Sequence, residues 1–127
     1  RLEDMMLLYA EILAESDPAG AMTYVNKIRT RAGVPTVTAS GKEEAMKHIK
    51  NERKLEFFLE GIRWFDQIRY GEWKETTIAK YDRYKIDGAY RQGVSTENIK
   101  PGKYLLPIPL NEINTVPGLY TQNPDWE

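Results

Sequence analysis

The sequence contains no cysteine, which excludes disulfide staples and thiolate metal sites within these residues and leaves no trace of a redox compartment. It contains one histidine, His48. Glu44 lies four residues before it, but a di-iron helical bundle needs Glu-x-x-His on two helices, so no metal is expected. No apolar run approaches the roughly 18 to 20 residues that span a bilayer, and Arg1-Leu2-Glu3-Asp4 is no signal peptide. Eighteen Lys and Arg stand against 19 Asp and Glu, a net charge of -1, with no polybasic run. An electrostatic grip on nucleic acid is thereby excluded. Also missing are a Gly-rich phosphate loop, a Gly-x-Ser-x-Gly elbow, a His-Glu-x-x-His pair and a calcium loop. No nucleophile has a base beside it, and neither enzyme activity nor a cofactor is expected.

What is present describes a folded chain. With 41% hydrophobic and 29% charged residues the composition is not that of a disordered segment, and 127 residues suffice for one compact domain but not for two independent ones. Leu2, Met5, Met6, Leu8, Tyr9, Ile12 and Leu13 recur at helical steps over more than half a circumference, predicting a largely buried first helix. Asp17-Pro18 reads as an N-cap with proline at the first helical position. The second helix would bury Ala21, Met22, Val25, Ile28 and Ala32 and stop at Gly33, completing a helix hairpin over 1–33. After a Pro- and Thr-rich connector, Ser40-Gly41-Lys42-Glu43 fits a capping box. A third helix then runs unbroken to Glu60, with Gly61 marking a kink, a break or a close contact, and the helical pattern ends at Tyr70-Gly71. No period holds from Glu72 to Lys103, a stretch long enough for a functional loop or one packed by its own aromatics. Lys100-Pro101-Gly102-Lys103 suggests a type II turn, Tyr104 to Pro109 an extended apolar segment, and Val116 to Trp126 a tail that wraps over helices.

The charges of the block 40–71 are ordered. At 100 degrees per residue from Ile49, Arg53, Glu56, Glu60 and Arg63 fall within about 40 degrees of one line. Leu55, Phe58, Leu59, Ile62 and Phe65 take the opposite side, so the stripe is the part of this helix left to face water. A glycosidase needs its two carboxyls on opposite sides of the scissile bond, which Glu56 and Glu60 on one helix face cannot provide. The reading favoured is a structural ion-pair stripe in which Arg53 and Arg63 flank the two glutamates, helped by arginines of the hairpin. Glu11 would pair in the same way with Arg29 or Arg31. In the loop, Trp73, Tyr81, Tyr84 and Tyr90 are candidates for stacking on a sugar ring, against the plainer reading that they pin the loop to the helices.

Several segments, in order, resemble the SusD/RagB group of outer-membrane nutrient-binding lipoproteins of Bacteroidetes-type bacteria. They are Tyr9-Ala10-Glu11; Val25-Asn26-Lys27-Ile28-Arg29-Thr30-Arg31-Ala32-Gly33; Asn51-Glu52-Arg53-Lys54-Leu55-Glu56-Phe57; and Glu60-Gly61-Ile62-Arg63-Trp64-Phe65-Asp66-Gln67-Ile68-Arg69. Tyr104-Leu105-Leu106-Pro107-Ile108-Pro109, Glu112-Ile113 and Gln122-Asn123-Pro124 follow the same pattern. The resemblance is to the family's C-terminal part and skips Glu72 to Lys100. It implies a mostly α fold of tetratricopeptide-like hairpins with a long irregular loop (72–103) and an extended C-terminal tail (104–127), within a longer protein held at the cell surface by a lipidated cysteine. The implied partners are a SusC-like TonB-dependent transporter and an oligosaccharide or similar nutrient, with this segment mainly a scaffold. The alternatives are a helical-repeat module that binds a protein partner and, more weakly, a carbohydrate-active hydrolase.

Overall fold

A computed structural model of the chain describes residues 1–86 and 96–126. The described residues are helical, without strands, and group into two compact units, Arg1–Arg63 and Trp64–Glu127. No helix among them is long and apolar enough to cross a membrane.

The first unit holds α1 (Leu2–Leu13), α2 (Pro18–Arg31) and α3 (Lys42–Glu56). Its core is Leu7, Ala10 and Ala14 against Ala21, Met22, Val25 and Ile28, closed by Ala45, Ile49 and Phe57. The hairpin forms as its signals predict. Asp17 accepts a hydrogen bond from the Gly20 amide at 2.9 Å with Pro18 at the first helical position, satisfying a donor the helix start would leave open. At the far end Gly33 takes φ +71°, the Val34 amide donates to Arg29 O and the Gly33 amide to Thr30 O, a double closure that favours glycine because an L side chain resists that φ. The connector beyond is docked back on α2. Asn26 donates from Nδ2 to Val37 O and accepts from the Val37 amide, both at 2.8 Å, and Arg29 Nε donates to Pro35 O at 2.7 Å.

Three boundaries depart from expectation. Ala32 caps α2 and is exposed, one step past the last inward turn. The expected capping box does not form: Gly41 is the N-cap and has no side-chain cap bond, and Glu44, one residue past the expected Glu43, accepts from both the Ser40 amide and Ser40 Oγ at 2.8 and 2.9 Å. Those two bonds, the amide's first, hold the Glu44 carboxyl below the ordinary carboxylate range. A group lowered on folding adds stability above its unfolded pKa and loses it as pH falls through the folded one. Ser40→Ala removes one of the two bonds, so Glu44 should titrate closer to an ordinary glutamate by NMR while keeping part of its shift. The third departure is the helix end. α3 stops at Glu56 rather than Glu60, because Leu59 at φ +66° and Gly61 at φ +79° turn the chain left-handed, and for leucine that conformation costs about 1–2 kcal/mol.

The second unit follows with α4 (Arg63–Arg69), α5 (Trp73–Ile86), 3-10 turns at Thr96–Asn98 and Pro101–Tyr104, and α6 (Leu110–Thr115). α4 ends as expected at Tyr70-Gly71: Gly71 has φ +70°, its amide donates to Ile68 O, and the Glu72 amide donates to Gln67 O. The stretch read as having no period contains α5. Its larger apolar residues, Trp73, Ile78, Tyr81, Tyr84 and Ile86, are spaced by five, three, three and two, so no unbroken three-four stripe announces the helix. Pro101–Tyr104 is a 3-10 turn instead of a type II turn.

The closing segment leaves helix at Leu105 and runs to Pro109, one residue short of the expected Tyr104 to Pro109 because Tyr104 belongs to the 3-10 turn, and then carries the unforeseen α6. Residues 122–126 return along the extended segment. Gln122 donates to Ile108 O and accepts from its amide, Asn123 Nδ2 donates to Leu106 O, and Trp126 Nε1 donates to Leu105 O. The tail thus laces to its own unit through side chains. Asp125 accepts from the Gly102 amide at 2.7 Å, and a Cβ on Gly102 would come within 2.6 Å of Pro124 O and 2.9 Å of Pro124 C. Backbone cannot yield as a flexible side chain can, so Gly102→Ala should cost about 1–3 kcal/mol. Faster amide exchange at Leu105 to Ile108 in the variant is the measurement that locates the damage in the tail.

Candidate functional site

The residue cluster with the densest electrostatics lies where α1, α2 and α3 meet. Ala45 and Ile49 are fully buried and fix the inward face of α3. Three, four and seven residues beyond Ile49 stand Glu52, Arg53 and Glu56, which by helical geometry share that face. Glu52 is 5% exposed and Arg53 4%. The charges of α3 therefore take its buried side, and the large apolar residues are the open ones, Leu55 on its far side at 58% exposure and Phe58 and Leu59 just past its end at 74% and 89%. This inverts the expected arrangement.

Each buried charge is met from another helix. Arg29 of α2 donates from Nη1 to Glu52 Oε2 at 2.9 Å. Arg53 Nη1 lies 2.7 Å from Asp4 Oδ1 and its Nε 3.7 Å from Glu11 Oε1, both on α1. Its guanidinium also lies 5.2 Å from the centre of the buried Phe57 ring, which Arg1 approaches at 5.1 Å. Glu56 receives Arg31 Nη2 at 2.6 Å on both oxygens and Arg1 Nη2 at 2.9 Å. Arg31 also bridges to Glu3. The Glu3 carboxyl is held below its ordinary range, first by a hydrogen bond with its own backbone amide, then by Arg31 and Arg1, while the Glu56 hydrogen bond pushes Arg31 further up. Among the described residues no buried side-chain nitrogen or oxygen lacks a partner, the condition under which buried charges are tolerable.

The predicted stripe residues are thus divided. Arg53 and Glu56 lie on one face but pair outward to the hairpin instead of with each other. Glu60, past the end of α3, meets Arg1 at 3.0 Å, and Arg63 opens α4. Helical counting does not extend across the left-handed turn at Leu59 and Gly61, so the last two members leave the line. Glu11 faces Arg53, whereas Arg29 takes Glu52. Sequence reasoning passed over Asp4 and Glu52, and it named Arg31 only as a partner for Glu11, whereas Arg31 pairs with Glu56 and Glu3. For Glu52 the signal was available, since positions 45, 49, 52, 53 and 56 continue one inward register.

In the second unit the proposed sugar-stacking residues separate as well. Trp73 is 8% exposed. Trp64 and Tyr104 meet its ring edge-on at centroid distances of 5.7 and 6.3 Å, and its Nε1 donates to Pro101 O at 3.1 Å. A ring so enclosed has no free face for a sugar. Tyr81 is half-buried, Tyr84 is exposed with Lys80 Nζ 5.8 Å from its ring centre, and Tyr90 lies outside the described residues. Asp66, buried on α4, bonds Arg69 at 3.0 Å, and Arg69 stacks on Tyr70 at 4.4 Å.

Comparison with known proteins places these features in context. The sequence model described as the SusD family matches residues 1–126. Among curated proteins, SusD-like protein P25 of Formosa agariphila is 35% identical over 127 residues, covering 94% of this chain and 22% of that protein. SusD-like protein P38 of the same organism is 37% identical over 79 residues, covering 54% of this chain and 16% of that protein. The chain thus spans about a fifth of the length of these relatives. No solved structure matches significantly.

Proposed function

We propose, since this chain belongs to the SusD family, that it is part of a cell-surface protein that captures an oligosaccharide or similar nutrient and passes it to a SusC-like TonB-dependent transporter of the outer membrane. The observation that carries this reading is the family match along residues 1–126. Within such a protein this segment serves as scaffold, and a lipid anchor outside it holds the whole at the membrane.

The scaffold role is supported by the commitments of the acidic residues. Glu52, Glu56 and Glu11 each hold an arginine of another segment of the chain, which joins the helices and commits these three carboxylates to ion pairs. Binding without covalent chemistry is the proposed activity. Calorimetric titration of the full-length protein with a panel of oligosaccharides, followed by an assay for new reducing ends, tests it. Heat of binding without released reducing ends is expected, together with co-purification of a TonB-dependent transporter from outer membranes. Steady release of reducing ends would replace the reading by a hydrolase, and failure both to bind any member and to co-purify would sink it.

A further inference from the structure

Of the aromatic residues considered for sugar contact, one described ring stays open. Trp73 is enclosed and Tyr81 half-buried, whereas Tyr84, near the end of α5, is 43% exposed. Its surroundings carry charge. Lys80, one turn earlier, places Nζ 5.8 Å from the centre of the ring, and Arg83 directly precedes it; both are exposed. At 100 degrees per residue Arg83, Lys80 and Tyr84 fall within an arc of about 100 degrees, and the exposed acids of the helix, Glu75 and Asp82, lie roughly 130 and 150 degrees from its middle. An acid three or four residues away is the neighbour that favours a lysine on a helix surface. Lys80 instead has Thr76, Thr77, Arg83 and Tyr84 at those steps, and among the described residues neither Lys80 nor Arg83 makes an ion pair. Two like charges side by side repel, a cost that a bound anion removes.

We propose that Arg83, Lys80 and Tyr84 form a subsite for an acidic sugar unit, one bearing a carboxylate or a sulfate ester, within the captured oligosaccharide. The inference rests on the nutrient-binding reading and narrows it from any oligosaccharide to an anionic one. Each residue type suits a part of such a unit. A guanidinium fork matches a carboxylate or sulfate with two parallel N–H donors, the ammonium adds a point charge, and the exposed part of the phenol ring takes the apolar C–H face of a pyranose. Charge alone would also fit a lipid headgroup, but the apolar pattern does not. A helix lying on anionic lipid sets a broad apolar face between its basic residues, whereas this side of α5 offers Thr76, Thr77 and a single exposed ring. Nucleic acid is poorly served by a chain of net charge -1 without a polybasic run.

Calorimetry on the full-length protein tests it with three sets of oligosaccharides of equal length: neutral (malto-, xylo- and laminari-oligosaccharides), uronate (alginate and pectate fragments) and sulfated (carrageenan fragments). A charged member should bind at least about tenfold more tightly than any neutral one, with an affinity that falls as salt rises; the tighter of the two charged sets identifies the acidic group. Lys80→Gln/Arg83→Gln should weaken that binding at least about tenfold and Tyr84→Ala should weaken it too, with the melting temperature of each variant close to wild type. Binding of neutral members alone, or a double variant that keeps wild-type affinity for the charged one, would overturn the subsite and leave the nutrient reading standing. Binding of no member would overturn the subsite as well, and if no transporter co-purifies the nutrient reading falls with it. A double variant that loses the transporter or anionic vesicles while keeping its charged oligosaccharide would assign the face to that partner and overturn the proposal.

Discussion

Arg29→Met should destabilise the protein by about 3–5 kcal/mol in chemical unfolding, the largest effect expected of any charge substitution in the hairpin. The magnitude follows from what the substitution leaves behind. Glu52 Oε2 lies 2.9 Å from Arg29 Nη1, and the two side chains are only 6% and 17% exposed. Without the guanidinium the carboxylate stays on a face shared with Ile49, where water cannot replace the lost partner. Arg29 Nε also leaves Pro35 O, so the 34–39 connector loses one of its anchors on α2 and keeps the Asn26 pair. The double variant Arg29→Met/Glu52→Leu should recover most of the loss, because two apolar side chains of similar volume can replace a buried pair at little cost. A single-variant loss under about 1 kcal/mol would mean that Glu52 reaches solvent. Glu56→Leu should cost less than Arg29→Met, because its partners Arg31 and Arg1 have side chains 51% and 46% exposed and can rehydrate when released.

The same contrast marks how far the sequence can be read. Helix starts and stops were legible wherever one residue's chemistry decides them: Asp17-Pro18, Gly33 and Gly71 act through local hydrogen bonds and backbone angles that no distant contact overrides. Which face of α3 turns inward was not legible from hydrophobicity, because a helix read as unbroken to Glu60 sets Leu55, Phe58 and Leu59 against Ala45 and Ile49, and only Leu55 of those three lies within α3. The structure turns Ala45 and Ile49 inward, on the side they share with charges whose partners stand on α1 and α2. Those partners are distant in sequence, Asp4 and Glu11 from Arg53 and Arg29 from Glu52, and a stripe read on one helix cannot name them. Helix α1 repeats the lesson from the other side. Its periodicity announces burial over most of its circumference, yet within residues 1–63 Leu7 and Ala10 are fully buried while Leu2, Met5, Tyr9 and Ile12 are exposed.

In the second unit, α5 escaped detection because its apolar spacing is irregular and a single ring, Trp73, is deeply buried, too little to impose a period. The lacing of 122–126 onto 105–108 was equally hidden, since Gln122, Asn123 and Trp126 act by side-chain hydrogen bonds to backbone that propensity does not encode. Family wording nevertheless marked both ends of that contact, through Tyr104 to Pro109 and Gln122-Asn123-Pro124. Resemblance can point to contacts whose physical cause the residues alone do not display.

Trp73→Ala should destabilise the protein by about 3–5 kcal/mol, the usual cost of deleting a buried indole. Trp73 joins three parts of the second unit: the start of α5, Trp64 of α4 and the Pro101–Tyr104 turn, whose Pro101 carbonyl accepts its Nε1 hydrogen bond and whose Tyr104 meets its ring edge-on. Deleting it should therefore loosen the turn that carries Gly102 and, through Asp125, the tail, so that Trp73→Ala and Gly102→Ala both speed amide exchange at Leu105 to Ile108. Trp73→Phe, which keeps a ring but loses the hydrogen bond, should fall between wild type and alanine. Tyr84→Ala, at 43% exposure, should stay within about 0.5 kcal/mol of wild type. This separates packing from ligand contact: chemical unfolding reads the first, oligosaccharide titration of the full-length protein the second. A Trp73→Ala protein that keeps wild-type stability but loses oligosaccharide binding would show that this ring meets the ligand, and would overturn its assignment to the aromatic core of the second unit.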